Sequence, residues 1–165
     1  MSLAYKIMES PVGKLKLIAS DEALVEIRWQ SDKPQRVRPE EPVEDANHPV
    51  LEKSEQQLNE YFAGKRKTFS IPLDMQGTPF QKNVWEALLA IPFSETRSYG
   101  DLAKLLGNPN ATRAVGAANG RNPLPIIVPC HRVIGSSGKL TGFGGGLDTK
   151  ARLLKLEEGD TSLFK

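Results

Sequence analysis

Cysteine occurs once in this 165-residue chain, at Cys130, and histidine only twice, at His48 and His131. One cysteine excludes an internal disulfide, and one cysteine with two histidines falls short of a four-ligand structural zinc site unless carboxylates complete it. No bound metal is therefore expected. Long apolar runs are also missing near the start, where Lys6, Glu9, Lys14 and Lys16 interrupt the first twenty residues. Neither a signal peptide nor a membrane span is expected there, and the chain reads as cytoplasmic, a compartment where a free thiol stays reduced. Internal repeats and low-complexity tracts are absent.

A strong net charge is lacking too, since the formal value is only +2, but the charge is unevenly placed. Residues 1–79 hold 11 Lys and Arg against 13 Asp and Glu, whereas residues 80–155 hold 10 against 4, a difference of +6. That excess is a modest footprint for a polyanion, or an ordinary solvated surface. With 39% hydrophobic residues, a chain this long can bury about two-thirds of its unfolded surface, enough for one sizeable core or two small ones.

Three short strands are expected at the start: Tyr5 to Glu9, Lys14 to Ala19 after the Ser10-Pro11-Val12-Gly13 turn signal, and Ala23 to Trp29. Ser31 to Pro49 is polar and rich in Pro and Glu, which predicts an exposed connection with little structure of its own. Val50 to Phe62 reads as a helix packed on the sheet, and Lys65 to Thr68 with Pro72 to Pro79 as a linker into a second unit. The expected division is 1–76 and 77–165.

From Phe80 the pattern turns to short helices, with Phe80, Val84, Leu88 and Ile91 in one apolar stripe widened by Trp85 and Leu89. Ser98 is placed to cap a second helix through Leu106, and Gly107 to Asn110 turns the chain into a third, Ala111 to Asn119. Helix, tight turn, helix is the organisation of a DNA reader. The third helix is made almost wholly of small residues, with Gly116 in its interior at about 1 kcal/mol relative to alanine. Its backbone is suited to lie close to something: the protein's own core, or a sugar-phosphate backbone. Ile126 to Val128 is a buried-strand candidate, Gly135 to Gly146 a glycine-rich loop, and Asp148 a cap for a closing helix through Glu158.

Cysteine attacks as the thiolate, whose pKa of about 8.5 must be lowered or bypassed by a base. His131 is adjacent, but consecutive side chains diverge in helix and strand, so contact requires a sharp turn, which Pro129 allows, or a bridging water. A histidine base also needs a carboxylate to fix its tautomer, and Glu157 and Glu158 are the nearest downstream. Taken alone, a buried cysteine is more often a small hydrophobe than a nucleophile.

The stretch Asn122-Pro123-Leu124-Pro125-Ile126-Ile127-Val128-Pro129-Cys130-His131-Arg132-Val133, preceded by Arg113-Ala114-Val115-Gly116 and followed by the glycine-rich loop, closely resembles the O6-alkylguanine DNA alkyltransferases. These are the methylated-DNA–protein-cysteine methyltransferases. The resemblance is dense from about Gly77 to Gly159 and thin before it. It implies a small amino-terminal α/β domain similar to ribonuclease H, then a winged-helix domain that carries the site. It implies Cys130 as alkyl acceptor, His131 acting as base through a water, Glu157 orienting the histidine with Glu158 as the alternative, and Asn122 bracing the turn.

By the same resemblance Tyr99 contacts a ring nitrogen of the flipped guanine, and backbone groups at Cys130, Val133 and around Gly144 hold its edges. Arg113 fills the base stack, on a helix whose Ala114, Gly116 and Ala117 lie in the minor groove. Two departures stand out: Phe143 where a tyrosine is common, and an extra glycine in Gly144-Gly145-Gly146. The implied activity is irreversible, single-turnover alkyl transfer from O6-alkylguanine, and from O4-alkylthymine, in double-stranded DNA, by a monomer without cofactor. A non-catalytic lesion binder on the same fold would lack the cysteine, and a cysteine hydrolase would leave Arg113 and the paired helices without a role.

Overall fold

The structure is a computed structural model that describes residues 2–30, 41–135, 138, 143 and 145–159. Alternating apolar residues build the first layer. Strands β1 (Ala4–Met8), β2 (Leu15–Ala19) and β3 (Leu24–Trp29) pair antiparallel, with Tyr5 opposite Ile18 and Leu17 opposite Ile27. The expected structureless connection instead contains β4 (Val43–Glu44), which adds parallel to β1 and completes a sheet of order β3-β2-β1-β4. Two backbone bonds, Val43 N to Leu3 O and Asp45 N to Tyr5 O, hold it there, a pairing that its polar sequence did not signal.

Helix α1 (Pro49–Phe62) starts at a His48 cap, with proline in its first turn where the missing N–H is harmless. Leu51, Leu58, Tyr61 and Phe62 form its buried face, against Leu15, Leu17, Leu24 and Ile27 of the sheet. The segment after α1 runs along β3, where Leu24 N donates to Pro72 O at 2.8 Å and Asp74 N to Leu24 O at 2.9 Å. Further along β3, Ile27 N donates to Pro123 O at 2.8 Å, so the same strand grips the segment that leads to Cys130. A continuous core joins both halves, from Met8 through Trp85 to Leu156.

Helix α2 (Pro79–Leu89) begins in a capping box in which Thr78 and Gln81 exchange side-chain-to-backbone hydrogen bonds. Val84, Trp85 and Leu88 are buried as the stripe requires, but Phe80 and Leu89 lie on the surface at 38% and 44% exposure. A second capping box, Ser98 with Asp101, opens α3 (Tyr99–Leu105), and α4 (Thr112–Gly120) packs on both α2 and α3. Trp85 Nε1 donates to Ala118 O at 2.8 Å and fixes α4 on α2. Strands β5 (Arg97–Ser98) and β6 (Val133–Ile134) pair parallel beside these helices, and α5 (Leu147–Glu157) closes the unit.

Two further local expectations fail. Ile126 to Val128 is buried but forms a tight turn, not a strand, because Ile126 has φ +76° and Val128 N turns back to Leu124 O at 2.8 Å. Asp148 lies inside the first turn of α5, and the cap is Gly146 at φ +92°, a conformation that a side chain would strain. The architecture is mixed α/β, a sheet-and-helix unit followed by a helical unit containing the α3–α4 pair. No described helix is long and apolar enough to cross a membrane.

Candidate active site

Pro129 ends the tight turn with ψ 64°, and Cys130–Arg132 then make one turn of 3₁₀ helix. That turn is how adjacent residues come to serve one site. Asn122 braces the approach, its Nδ2 donating to Val128 O at 2.7 Å and its Oδ1 accepting from Leu124 N at 2.9 Å. A β-branched residue at positive φ, as at Ile126, stores about 1–3 kcal/mol and persists only where the surroundings impose it. Asn122 and the β3 edge supply that constraint.

Cys130 is 5% exposed and His131 fully buried. Burial pushes the Cys130 thiol up to about 11, against the opposing pull of a hydrogen bond with Asn122 and the charge of Lys150. The thiol is therefore protonated at rest, and attack requires a base. Lys150, fully buried on α5, donates through Nζ to Val133 O at 2.6 Å, and burial lowers its own pKa while Cys130 raises it.

His131 Nε2 lies 2.6 Å from Glu157 Oε2. Burial alone would raise the Glu157 carboxyl, but the hydrogen bonds and charges of His131 and Arg132 outweigh it and hold it at about 2. An ionised carboxylate only accepts, so Nε2 carries the hydrogen and Nδ1 presents a lone pair. Burial keeps the imidazole neutral by pushing its pKa below the ordinary value, with Glu157 pulling the other way. Nδ1 is buried without a partner, as is Asn119 Oδ1, and the Asn119 amide reaches Cys130 O at 3.4 Å. A neutral ring with an open acceptor nitrogen is the state that a general base needs, and a water can link it to the thiol.

Of the two candidate carboxylates, the one that meets His131 is Glu157, while Glu158 caps α5 and is exposed. Glu157 gathers more donors than sequence reasoning foresaw. Arg132 Nε reaches Oε1 at 2.8 Å and Arg132 Nη2 reaches Oε2 at 3.1 Å; Ser94 N reaches Oε1 at 3.2 Å and Tyr61 Oη reaches Oε2 at 2.6 Å. Lys150 was legible in principle, because it shares the buried face of α5 with Leu153 and Glu157 at helical spacing. Tyr61 carries no such signal, standing 96 residues from Glu157 in sequence.

On α4, Val115, Ala118 and Asn119 face the core while Thr112, Arg113, Ala114 and Ala117 are exposed. Gly116 lies between the two faces, and a Cβ there would stand 3.8 Å from the ring of half-buried Tyr99. The small residues thus serve core packing on one side and leave a smooth exposed face on the other. Val133 is fully buried. Phe143 stacks edge-on against Trp29 of β3, with ring centroids 5.5 Å apart, and a Cβ on Gly145 would meet that indole at 2.9 Å. Gly144 lies outside the described residues. Among the described residues no group of three or more His, Cys, Asp and Glu could hold a metal.

Residues 79–159 match the family described as 6-O-methylguanine DNA methyltransferase, DNA binding domain, and residues 3–75 its ribonuclease-like domain. A methylated-DNA–protein-cysteine methyltransferase of Methanosarcina acetivorans is 51% identical over 153 residues, covering 93% of this chain and 97% of the relative. The constitutive Bacillus subtilis protein of that name is 50% identical over 157 residues, 93% of this chain and 94% of its own. Among solved structures, Mycobacterium tuberculosis OGT in complex with DNA superposes with a TM-score of 0.87 at 46% identity, covering 98% of this chain and 99% of that one. A Methanococcus jannaschii O6-methylguanine DNA methyltransferase superposes at 0.64 with 31% identity over 94% and 92%. With both family domains matched in order and half of the residues shared with such relatives, this chain belongs to the methylated-DNA–protein-cysteine methyltransferase family.

Proposed function

We propose that this protein repairs double-stranded DNA by moving the alkyl group of O6-alkylguanine, and of O4-alkylthymine, onto Cys130 in a single irreversible step. The observation that carries this reading is the placement in one turn of a lone protonated thiol and a buried, neutral His131 held by Glu157, with Cys130 O reached by the Asn119 amide of α4, a helix whose other face of small residues is exposed. His131 Nδ1 takes the thiol proton through a water, and the resulting imidazolium is stabilised by Glu157, which stays ionised. Cys130 Sγ then forms a bond to the alkyl carbon as the carbon–O6 bond breaks, and its electron pair stays with the base. Tyr99 passes its hydroxyl proton to a ring nitrogen so that guanine leaves neutral, and the proton held by His131 restores the tyrosine through solvent.

An alkylated oxygen cannot meet a side-chain sulfur inside the base stack, so the nucleotide must leave it, at a few kcal/mol. Arg113 fills the gap, while Ala114, Gly116 and Ala117 let α4 approach the minor groove closely. Asn122 holds the turn, and backbone groups of Val133 and the loop at Phe143 and Gly144 receive the base. The division of labour follows residues 1–76 as support and 77–165 as reader and acceptor, in a monomer that works without a cofactor. The product thioether is chemically stable, which makes each molecule single-use.

Intact-mass measurement after incubation with duplex DNA containing O6-methylguanine tests the reading. One added methyl per molecule, located on Cys130 and absent in Cys130→Ser, is the expected result. Catalytic turnover, or unmodified protein, overturns it. Arg113→Ala is expected to slow transfer from duplex far more than transfer from the free modified base, and equal losses would remove Arg113 from the flipping step.

A further inference from the structure

Tyr61 is the one group in the Glu157 cluster that comes from α1, outside the helical unit that carries Cys130. Its hydroxyl and His131 Nε2 both meet the same oxygen, Glu157 Oε2, each at 2.6 Å. Burial and the neighbouring carboxylate push the tyrosine well above its ordinary pKa, so it is a neutral donor. The carboxylate has about four acceptor directions, and five donor contacts already converge on it. Arg132 binds both oxygens and Ser94 N one, so the orientation of Glu157 is fixed without Tyr61. What Tyr61 adds is a second strong donor on the oxygen that polarises the imidazole. Each donor withdraws negative charge from that oxygen, and less charge there means a weaker pull on a proton at His131.

We propose that Tyr61 is a positioning residue that limits the basicity Glu157 confers on His131, and so keeps the Cys130 thiol protonated until substrate is seated. The inference rests on the alkyl-transfer reading for its purpose, since a single-use thiol is lost to any stray electrophile it meets as thiolate. It gives the amino-terminal domain a chemical share in the site besides support. The ionisable groups around the imidazole and its carboxylate are Glu157 and Lys150 from α5, Cys130 and Arg132 from the 3₁₀ turn, and Tyr61 from α1. Tyr61→Phe changes only one of them, and it keeps the ring contacts with Phe62, Phe69 and Phe93.

The experiment follows alkylation of Cys130 by iodoacetamide without DNA, in the full chain, against pH. The lone cysteine makes intact mass an unambiguous readout. If removing the hydroxyl makes His131 more basic by about half a unit, thiolate in the neutral plateau rises about threefold and the acid limb of the profile moves up by the same half unit. The two shifts are linked, because both report the basicity of His131. Leu51→Ala, buried on the same helix but remote from the carboxylate, controls for simple loosening. It is expected to lower the melting temperature while leaving both plateau and acid limb in place.

A folded Tyr61→Phe protein with a plateau within 1.5-fold of the parent overturns the proposal. So does a Leu51→Ala protein whose plateau rises as much. Because no DNA is present, failure here is separate from failure of the repair reading, which the methyl-transfer measurement decides. If iodoacetamide shows the linked shifts and methyl transfer never occurs, the tuning stands and the substrate assignment falls.

Discussion

Replacing Glu157 by glutamine removes a charge while nearly preserving shape, and its consequence can be worked out in two independent ways. The carboxyl is held at about 2 against an ordinary 4.5, a depression worth about 3 kcal/mol at roughly 1.4 kcal/mol per unit. Stripping one partner from a buried ion pair, here Arg132 and Glu157 at 2.8 Å with both side chains almost wholly enclosed, costs about 3–5 kcal/mol. The two estimates meet near 3 kcal/mol. With a urea slope of about 2 kcal/mol/M, the unfolding midpoint of Glu157→Gln at pH 7.5 is expected to fall by about 1.5 M. The pH dependence has a definite sign. A carboxyl depressed in the folded state stabilises above its unfolded pKa and loses that contribution as pH falls through the folded value. The gap between parent and variant therefore shrinks to about 2 kcal/mol at pH 3.5 and closes further below. His131 acts in the same direction in the parent, since a histidine kept neutral by burial loses stability for the fold as pH drops below its ordinary 6.5. A gap under 1 kcal/mol at pH 7.5, or one that does not shrink on acidification, would refute the placement of Glu157 as the ionised centre of the site.

Asn122→Ala removes two hydrogen bonds at about 1 kcal/mol each and a brace on the Ile126 turn, so thermal melting is expected to fall by about 4–8 °C. It also removes one of the groups that pull the thiol down against burial, so iodoacetamide alkylation at fixed pH slows. Gly145→Ala drives a Cβ to within 2.9 Å of the Trp29 indole and 3.0 Å of the Phe143 ring, which calls for about 1–3 kcal/mol of destabilisation and a changed tryptophan emission spectrum; unchanged emission and melting would show that the loop has room to give. Lys150→Met leaves Val133 O without its donor and withdraws a positive charge from Cys130, so the protein loses about 1–3 kcal/mol in urea titration and its thiol reacts more slowly; faster alkylation would contradict the sign.

Much of this was legible in the residues, and the parts that were not share a cause. The strands alternate plainly, the capping box at Ser98 announces α3, and the glycine and proline at Gly107 and Pro109 separate it from α4. The sharp turn at Cys130 was foreshadowed by Pro129, but a cysteine beside a histidine is a weak signal by itself, and the roles expected of Cys130, His131 and Asn122 came from the family resemblance. Ile126 to Val128 misled because a β-branched run ordinarily extends, and only the grip of β3 and Asn122 forces Ile126 to φ +76°. Asp148 misled because a good capping residue stood two positions from a glycine that made the turn instead. Tyr61 and Ser94 were invisible as site residues, for each depends on distant elements meeting in the core, whereas Lys150 shares a buried helical face with Glu157 and could have been read from that spacing.

A nucleophile that is used once faces a demand that a turnover enzyme escapes, because every unproductive alkylation destroys the molecule. Lowering the thiol pKa outright, by exposing it to cations, would make Cys130 fast and indiscriminate. The site takes the opposite course. Burial holds the thiol up near 11, and the base beside it is neutral and itself weakened by burial. On the proposed mechanism, proton transfer through water to so weak a base leaves little thiolate in the absence of a seated lesion. Arg132 and Tyr61 spread the Glu157 charge over many donors, so the carboxylate steadies the imidazolium when it forms without drawing the proton onto His131 beforehand. Reactivity is then conferred by the seated lesion instead of residing in the cysteine, and selectivity for it follows from the same burial that keeps the thiol quiet.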